Sequence, residues 1–452
     1  MSLPALPGIC AALPWPVAVA GVLCYVGSVY AAARGIAYLG RRRMIRHHGQ
    51  MGRWPTVLTA AVHVYLLAGL AALLTAGWAR LISETLRLEA IPLAGEAMAV
   101  GPFIAALLAY WWAMYPLDRA LRQQNIQAMV LSGEPVPPVW TRRQFMGFNL
   151  RHNLLFLAVP VGLIILVMDV MQLAEPVLGA GISAPVGLVA IGGIFFFAPT
   201  MIVRIWRTSP LPAGPLRNRL EQLSRQAGFT CRDILVWNTV GMIINAAVLG
   251  VVRPVRYVLL SDAMLEHFDD DGVAAIFAHE AGHIVHRHIP YIVLFLVGLI
   301  TLIVSVFVLS VAWLDLSSPV TISLAISATV VLCLWLFGIL SRQFERQADV
   351  FAAAVATDDT NAKLTDEGIA RFSDALLKVG RLNGISPDRW NLRHGSIAHR
   401  LEYLRRLGQS DAGCSTVKRS ARRIKIAIWL LALFAAFSVG ATVLAQVKST
   451  SF

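Results

Sequence analysis

Along the chain, apolar runs of roughly 17 to 25 residues recur, each long enough to cross a hydrocarbon core of ~30 Å. Eight stand out: Leu13 to Ala32, Val57 to Trp78, Met98 to Tyr115, Leu154 to Leu173, Pro185 to Ile205, Ile289 to Trp313, Val320 to Leu340 and Ile426 to Gln446. The third is the shortest, with Trp and Tyr near its end, as suits an interface. Two longer polar stretches, Arg204 to His288 and Ser341 to Lys425, are separated by the sixth and seventh runs, which a short loop around Asp315 makes a hairpin. The first opens with "PAGPLRNRLEQLSRQAGF", where Leu216, Leu220 and Leu223 have helical spacing and Gly228 suits a C-cap. "RDILVWNT", "INAAVLGVV" and "RYVLLSD" read as short strands of a small sheet or hairpin, and a helix follows from about Asp270. The second reads as helices: "RQFERQADVFAAAVA", "DEGIARFSDALLKVGRL" and "IAHRLEYLRRL". The fold class is therefore mainly α and polytopic, with about eight transmembrane helices. It divides into an N-terminal membrane region 1–203, a polar part 204–288, a transmembrane hairpin 289–340, a second polar part 341–425 and a last span 426–452.

Composition agrees with a membrane protein, since 57% of residues are hydrophobic and 14% charged. The net charge of +13 would fit nucleic acid, but its distribution argues otherwise. "RRRMIRHHGQMGR", between the first two runs, and Asp118 to Arg151, between the third and fourth, are rich in arginine, whereas the connections around Glu175 and Asp315 have no basic residue. This alternation follows the positive-inside rule, puts both termini outside and both polar stretches in the cytoplasm, and accounts for the arginines without nucleic acid. "MSLPALPGICAALPWP" lacks the basic start of a cleavable signal, so the first run is expected to stay. Of the 5 cysteines, Cys10, Cys24 and Cys333 lie in or beside runs, and Cys231 and Cys414 fall on the cytoplasmic side; without CxxC spacing they read as thiols.

The chemistry concentrates in "FAHEAGHIVHRH". On a helix His279 and His283 point the same way with Glu280 beside them, the HExxH arrangement, in which two neutral imidazoles hold Zn²⁺ and the glutamate takes a proton from a zinc-activated water. An accidental HExxH is expected in on the order of 1% of chains this long. On an unbroken helix His286 returns to the ligand face a turn too far along, and His288 faces away. A zinc site needs another ligand. In "SRQFERQAD", Glu345 and Asp349 share a helix face, so one can bind the metal and the other can hydrogen-bond a ligand histidine. The competing readings are a polar helix end near the membrane and ordinary surface acids flanked by Arg342 and Arg346.

Together HEAGH with His288, "SRQFERQAD" after two further runs, and the upstream "NAAVLG" resemble the integral-membrane zinc metallopeptidases that include the CaaX prenyl endopeptidase and the HtpX-type proteases, over roughly Arg204 to Leu407. The resemblance implies a gluzincin-like unit with one Zn²⁺ per chain on His279, His283 and Glu345, Glu280 as general base and Asp349 as partner of a ligand histidine. Asn245 and Ala246 would lie on an edge strand that pairs with substrate. "RHGSIAHRL" supplies His394 and Arg400 for the oxyanion, with Gly395 where the family has proline. The implied function is an endopeptidase hydrolysing membrane-associated or lipidated proteins, with its site on the cytoplasmic side of a multi-pass membrane protein (the inner membrane if the cell is bacterial). A site-2-type intramembrane protease also uses HExxH, but within a span, whereas here the motif follows the polar "EHFDDDG". An inactive scaffold or a transporter is the alternative. Against it stand intact Glu280, Glu345 and Asp349, and runs with little charge beyond Asp169.

Overall fold

The computed structural model describes residues 14–46, 54–88, 91–131, 136, 139–241, 243–314, 319–355, 364–409 and 413–450; Cys10 and the loop around Asp315 lie outside them. Cys24, Cys231 and Cys333 are unpaired. Among the described residues, eight helices are long and apolar enough to span a membrane. The chain groups into two compact units, 1–208 with 238–242, and 209–237 with 243–452.

The first unit is helical. It comprises α1 (Trp15–Arg46), α2 (Trp54–Leu73), α3 (Ala94–Leu131), α4 (Arg142–Asn149), α5 (Phe156–Leu178) and α6 (Ala180–Ile205). The third span is not short, because α3 runs unbroken beyond the apolar stretch through Asp118 and Arg122, which pair at 2.7 Å. Helices α1 and α3 pack together, as do α5 and α6, which join at Gly179 with φ 75°. That left-handed turn is open to glycine and reverses the chain in one residue.

The second unit joins a small sheet to helices. β1 (Thr208–Pro210) precedes α7 (Pro215–Gln226), which ends where Gly228 takes φ 70°. β2 (Asp233–Trp237), β3 (Ala246–Leu249) and β4 (Tyr257–Ser261) follow, and the sheet order is β1-β2-β4-β3. β2 runs parallel to β4 and β3 antiparallel to it, so β3 is an edge. Every residue of β4 is buried, as its continuous apolar run requires of a central strand. After α8 (Asp262–His267), the Asp269 side chain caps α9 (Asp270–Val285) by accepting from Gly272 N at 3.0 Å, and Asp270 and Asp271 sit in its first turn, where the dipole favours them. α10 (His288–Leu314) and α11 (Pro319–Val355) carry the sixth and seventh spans; α12 (Asp366–Leu382), α13 (Ile397–Gly408) and α14 (Gly413–Thr450) complete the unit.

Helix α9 is the pivot of this unit. Ten of its residues are buried, in a core with Leu220, Ile234, Leu260, Phe372 and Leu404. It crosses α11 so closely that a Cβ on Gly282 would lie 3.0 Å from the Ala348 Cα. The glycine of "HEAGH" thus brings the two helices together, three residues from Glu345.

Candidate metal centre

From α9 come His279 and His283, four residues apart on one face, with their Nε2 atoms 3.3 Å apart. From α11 comes Glu345, whose Oε2 lies 3.5 Å from His279 Nε2 and whose Oε1 lies 3.7 Å from His283 Nε2. One donor atom from each falls within 4.8 Å of the other two. A tetrahedral ion with ligands at 2.0–2.1 Å would separate its donors by roughly 3.4 Å, so these three side chains are already spaced to hold one. Glu345 Oε2 is buried without a hydrogen-bond partner, a costly state that a cation would relieve.

The histidines' other nitrogens each face a neighbouring side chain. His279 Nδ1 lies 3.0 Å from Asp349 Oδ1, one turn along α11 from Glu345. His283 Nδ1 lies 2.9 Å from His288 Nδ1, and His288 Nε2 lies 3.1 Å from Gln347 Oε1. His288 therefore does not face away. The expectation assumed one helix from His279 to His288, but α9 ends at Val285 and Arg287 takes φ 57°, so α10 starts in a new direction and returns His288, fully buried and stacked on Phe344 at 4.3 Å, to the site. His286 becomes the C-cap instead, and its carbonyl accepts from Lys425 Nζ at 2.7 Å. The donor sequence is consistent throughout. With Nε2 turned to a metal, His283 donates Nδ1–H to His288 Nδ1, and His288 donates Nε2–H to the Gln347 carbonyl.

Burial disfavours charge on His279, yet Asp349 and Glu345 outweigh it and hold its pKa at about 10. Burial and the His279 charge push His283 down to about 4. Glu280, partly exposed, is raised to about 7 by burial, with His279 opposing and Glu345 adding to the rise. That is the range a general base needs at neutral pH.

His394 reaches the site from the loop before α13. Its Nδ1 lies 2.9 Å from Glu345 Oε1 and its side chain is 43% exposed. Asn391 and Gly395 exchange backbone hydrogen bonds of 3.1 and 2.8 Å around it, and Gly395 takes φ 74°, a conformation closed to proline. Arg400 is buried and grips Asp349 through Nε and one terminal nitrogen at 2.9 and 2.6 Å, and that terminal nitrogen also lies 3.5 Å from Glu345 Oε2. Asn245 and Ala246 lie at the start of the edge strand. Asn245 N donates to Ser261 Oγ at 3.1 Å and Asn245 O accepts from Ser261 N at 3.0 Å, so its backbone is committed inward. By the alternation of an antiparallel pair, the Ala246 and Val248 backbone groups point to the free edge. His288, Gln347 and Val248 are additions to the residues expected from sequence.

Residues 210–407 match the model of peptidase family M48. This segment, a little under half of the chain, is similar to family M48. The matched segment holds every residue of the centre just described. A protease HtpX homolog of Aeropyrum pernix is 30% identical over 119 residues, covering 25% of this chain and 37% of that protein. A CAAX prenyl protease 1 homolog of Arabidopsis thaliana is 30% identical over 169 residues, covering 34% of this chain and 40% of its own. The chain thus spans about two fifths of the length of these relatives. The crystal structure of S. mikatae Ste24p aligns with a TM-score of 0.46 at 14% identity, over 87% of this chain and 99% of that one.

Proposed function

We propose that this multi-pass membrane protein is a zinc endopeptidase acting on peptide bonds of membrane-associated or lipidated proteins near the cytoplasmic surface. The observation that carries the reading is the meeting of His279, His283 and Glu345 at tetrahedral spacing, with Glu280 alongside. One zinc ion held there would supply an acidified water and a polarised carbonyl.

The chain's own residues do the rest. Glu280 accepts the proton of the attacking water and passes it to the leaving amine, and Asp349 and His288 keep the ligand histidines turned with Nε2 inward. We assign His394, the exposed donor beside Glu345, to the developing oxyanion, and Arg400 to holding Asp349. The free edge of β3 at Ala246 and Val248 would take an extended substrate as an added strand, with the exposed Asn245 side chain at its end. An inert scaffold would have no need of a base tuned to about 7 beside a full donor set. The kinship of one relative named as a prenyl protease homolog makes lipid-modified peptides the first substrates to try.

The test is metal content and cleavage on purified protein. Wild type should hold about one zinc and cleave, Glu280→Gln should keep the zinc and lose at least 10²-fold in rate, and Glu345→Ala should lose the zinc. Equal cleavage by Glu280→Gln would refute the assignment.

A further inference from the structure

The first unit has a charged feature of its own. Helices α5 and α6 pack antiparallel about the Gly179 turn, so the start of the fourth span and the end of the fifth lie at the same end. There Arg143, Arg151 and Arg207 line a recess of about 290 Å³ together with Gln144 and Asn238, and none of the lining residues is acidic. Neighbouring arginines have partners: Arg122 pairs with Asp118 and Arg142 stacks over Trp112 at 4.4 Å. Arg143, Arg151 and Arg207 form no ion pair among the described residues. Arg151 Nε is buried without a hydrogen-bond partner, and Arg207 is close enough to repel it.

The two amides complete a one-sided surface. Gln144 Oε1 already accepts from Thr141 N and Oγ1 at 2.8 and 2.9 Å, and Asn238 Oδ1 accepts from Val240 N at 3.2 Å. Gln144 Oε1 is filled by its two donors and Asn238 Oδ1 has one, so the amides present chiefly their nitrogens. With three guanidinium groups the recess is rich in donors, and like charges gathered around a buried open N–H call for an anion with several acceptor oxygens. The level in the membrane narrows its source. Trp112, Tyr115 and Trp206 cluster at this end of the spans, as aromatic residues do at the depth of lipid headgroups. We propose that the recess binds the phosphate of an anionic phospholipid headgroup, gripped by Arg143, Arg151 and Arg207.

Native mass spectrometry of the full chain in neutral detergent tests this, with phosphatidic acid or phosphatidylcholine added and inorganic phosphate as competitor. Wild type should retain phosphatidic acid over phosphatidylcholine. Arg143→Gln/Arg207→Gln, both exposed positions, should weaken retention by roughly tenfold or more, as should Arg151→Gln if it folds. Arg34→Gln/Arg41→Gln on α1, the same loss of charge elsewhere, should leave it unchanged. Equal retention of phosphatidylcholine, an equal loss in the α1 control, or full displacement of lipid by inorganic phosphate would each overturn the proposal.

Discussion

Each histidine of the proposed metal centre faces a partner with the nitrogen that turns away from the donor cluster, and the two partners differ in charge. Asp349 serves His279, and the neutral His288, itself held by Gln347, serves His283. His288→Ala should therefore lower zinc affinity about 10- to 100-fold while the fold persists, as competition with a chelating dye would measure. An unchanged affinity would remove His288 from the site. The charges also set a pH dependence. His279 is held at about 10, above its ordinary 6.5, so at pH 8 the metal-free protein carries a proton there that loading must expel. Calorimetry in buffers of different ionisation enthalpy should find about one proton released per zinc at pH 8, with apparent affinity falling as pH is lowered. Activity should fall further on the acid side, at or below about pH 7, as Glu280 gains its proton. At this scale the sequence makes His279, Glu280 and His283 legible because helical spacing is a local property. His288 is hidden because a single residue, Arg287 at φ 57°, resets the direction on which the angular argument rests.

Between elements, the decisive contact is α9 against α11 at Gly282 and Ala348. Gly282→Val would force the helices apart, because the obstacle is backbone and cannot rotate away. We expect a loss of about 1–3 kcal/mol in stability and a larger loss of metal affinity, read by thermal unfolding with and without zinc; an affinity equal to wild type would show that the crossing does not set the donor spacing. The helices around this contact are readable from periodicity and caps, since Thr365 and Ser396 cap α12 and α13 where polar residues precede apolar runs. The three-residue β1 is too short to show a period, and the extension of α3 past its apolar stretch has no hydropathy signal. Sequence alone also separates "SRQFERQAD" from the seventh span, whereas one helix, α11, contains both.

For the whole molecule, the proposed orientation of the spans rests on their alternating arginine content. Val177, 87% exposed at the α5–α6 turn, and Arg225 on α7 should fall on opposite sides of the membrane. Single cysteines at these positions, in a background without native cysteines, should react with an impermeant maleimide from opposite sides of oriented vesicles; labelling from one side would discard the topology. The eight spans are legible because apolar length is a composition signal, whereas the grouping of 209–237 with 243–452 depends on tertiary packing. The continuity of α11 has a mechanical consequence. Glu345 lies on the same helix as the apolar stretch Val320 to Leu340, about 15 residues and so roughly 20 Å beyond its middle, and a tilt of three degrees about that middle swings the carboxylate by roughly 1 Å. Bilayer thickness and lateral tension would then be transmitted to the donor spacing directly, making the membrane itself a lever on the candidate metal centre.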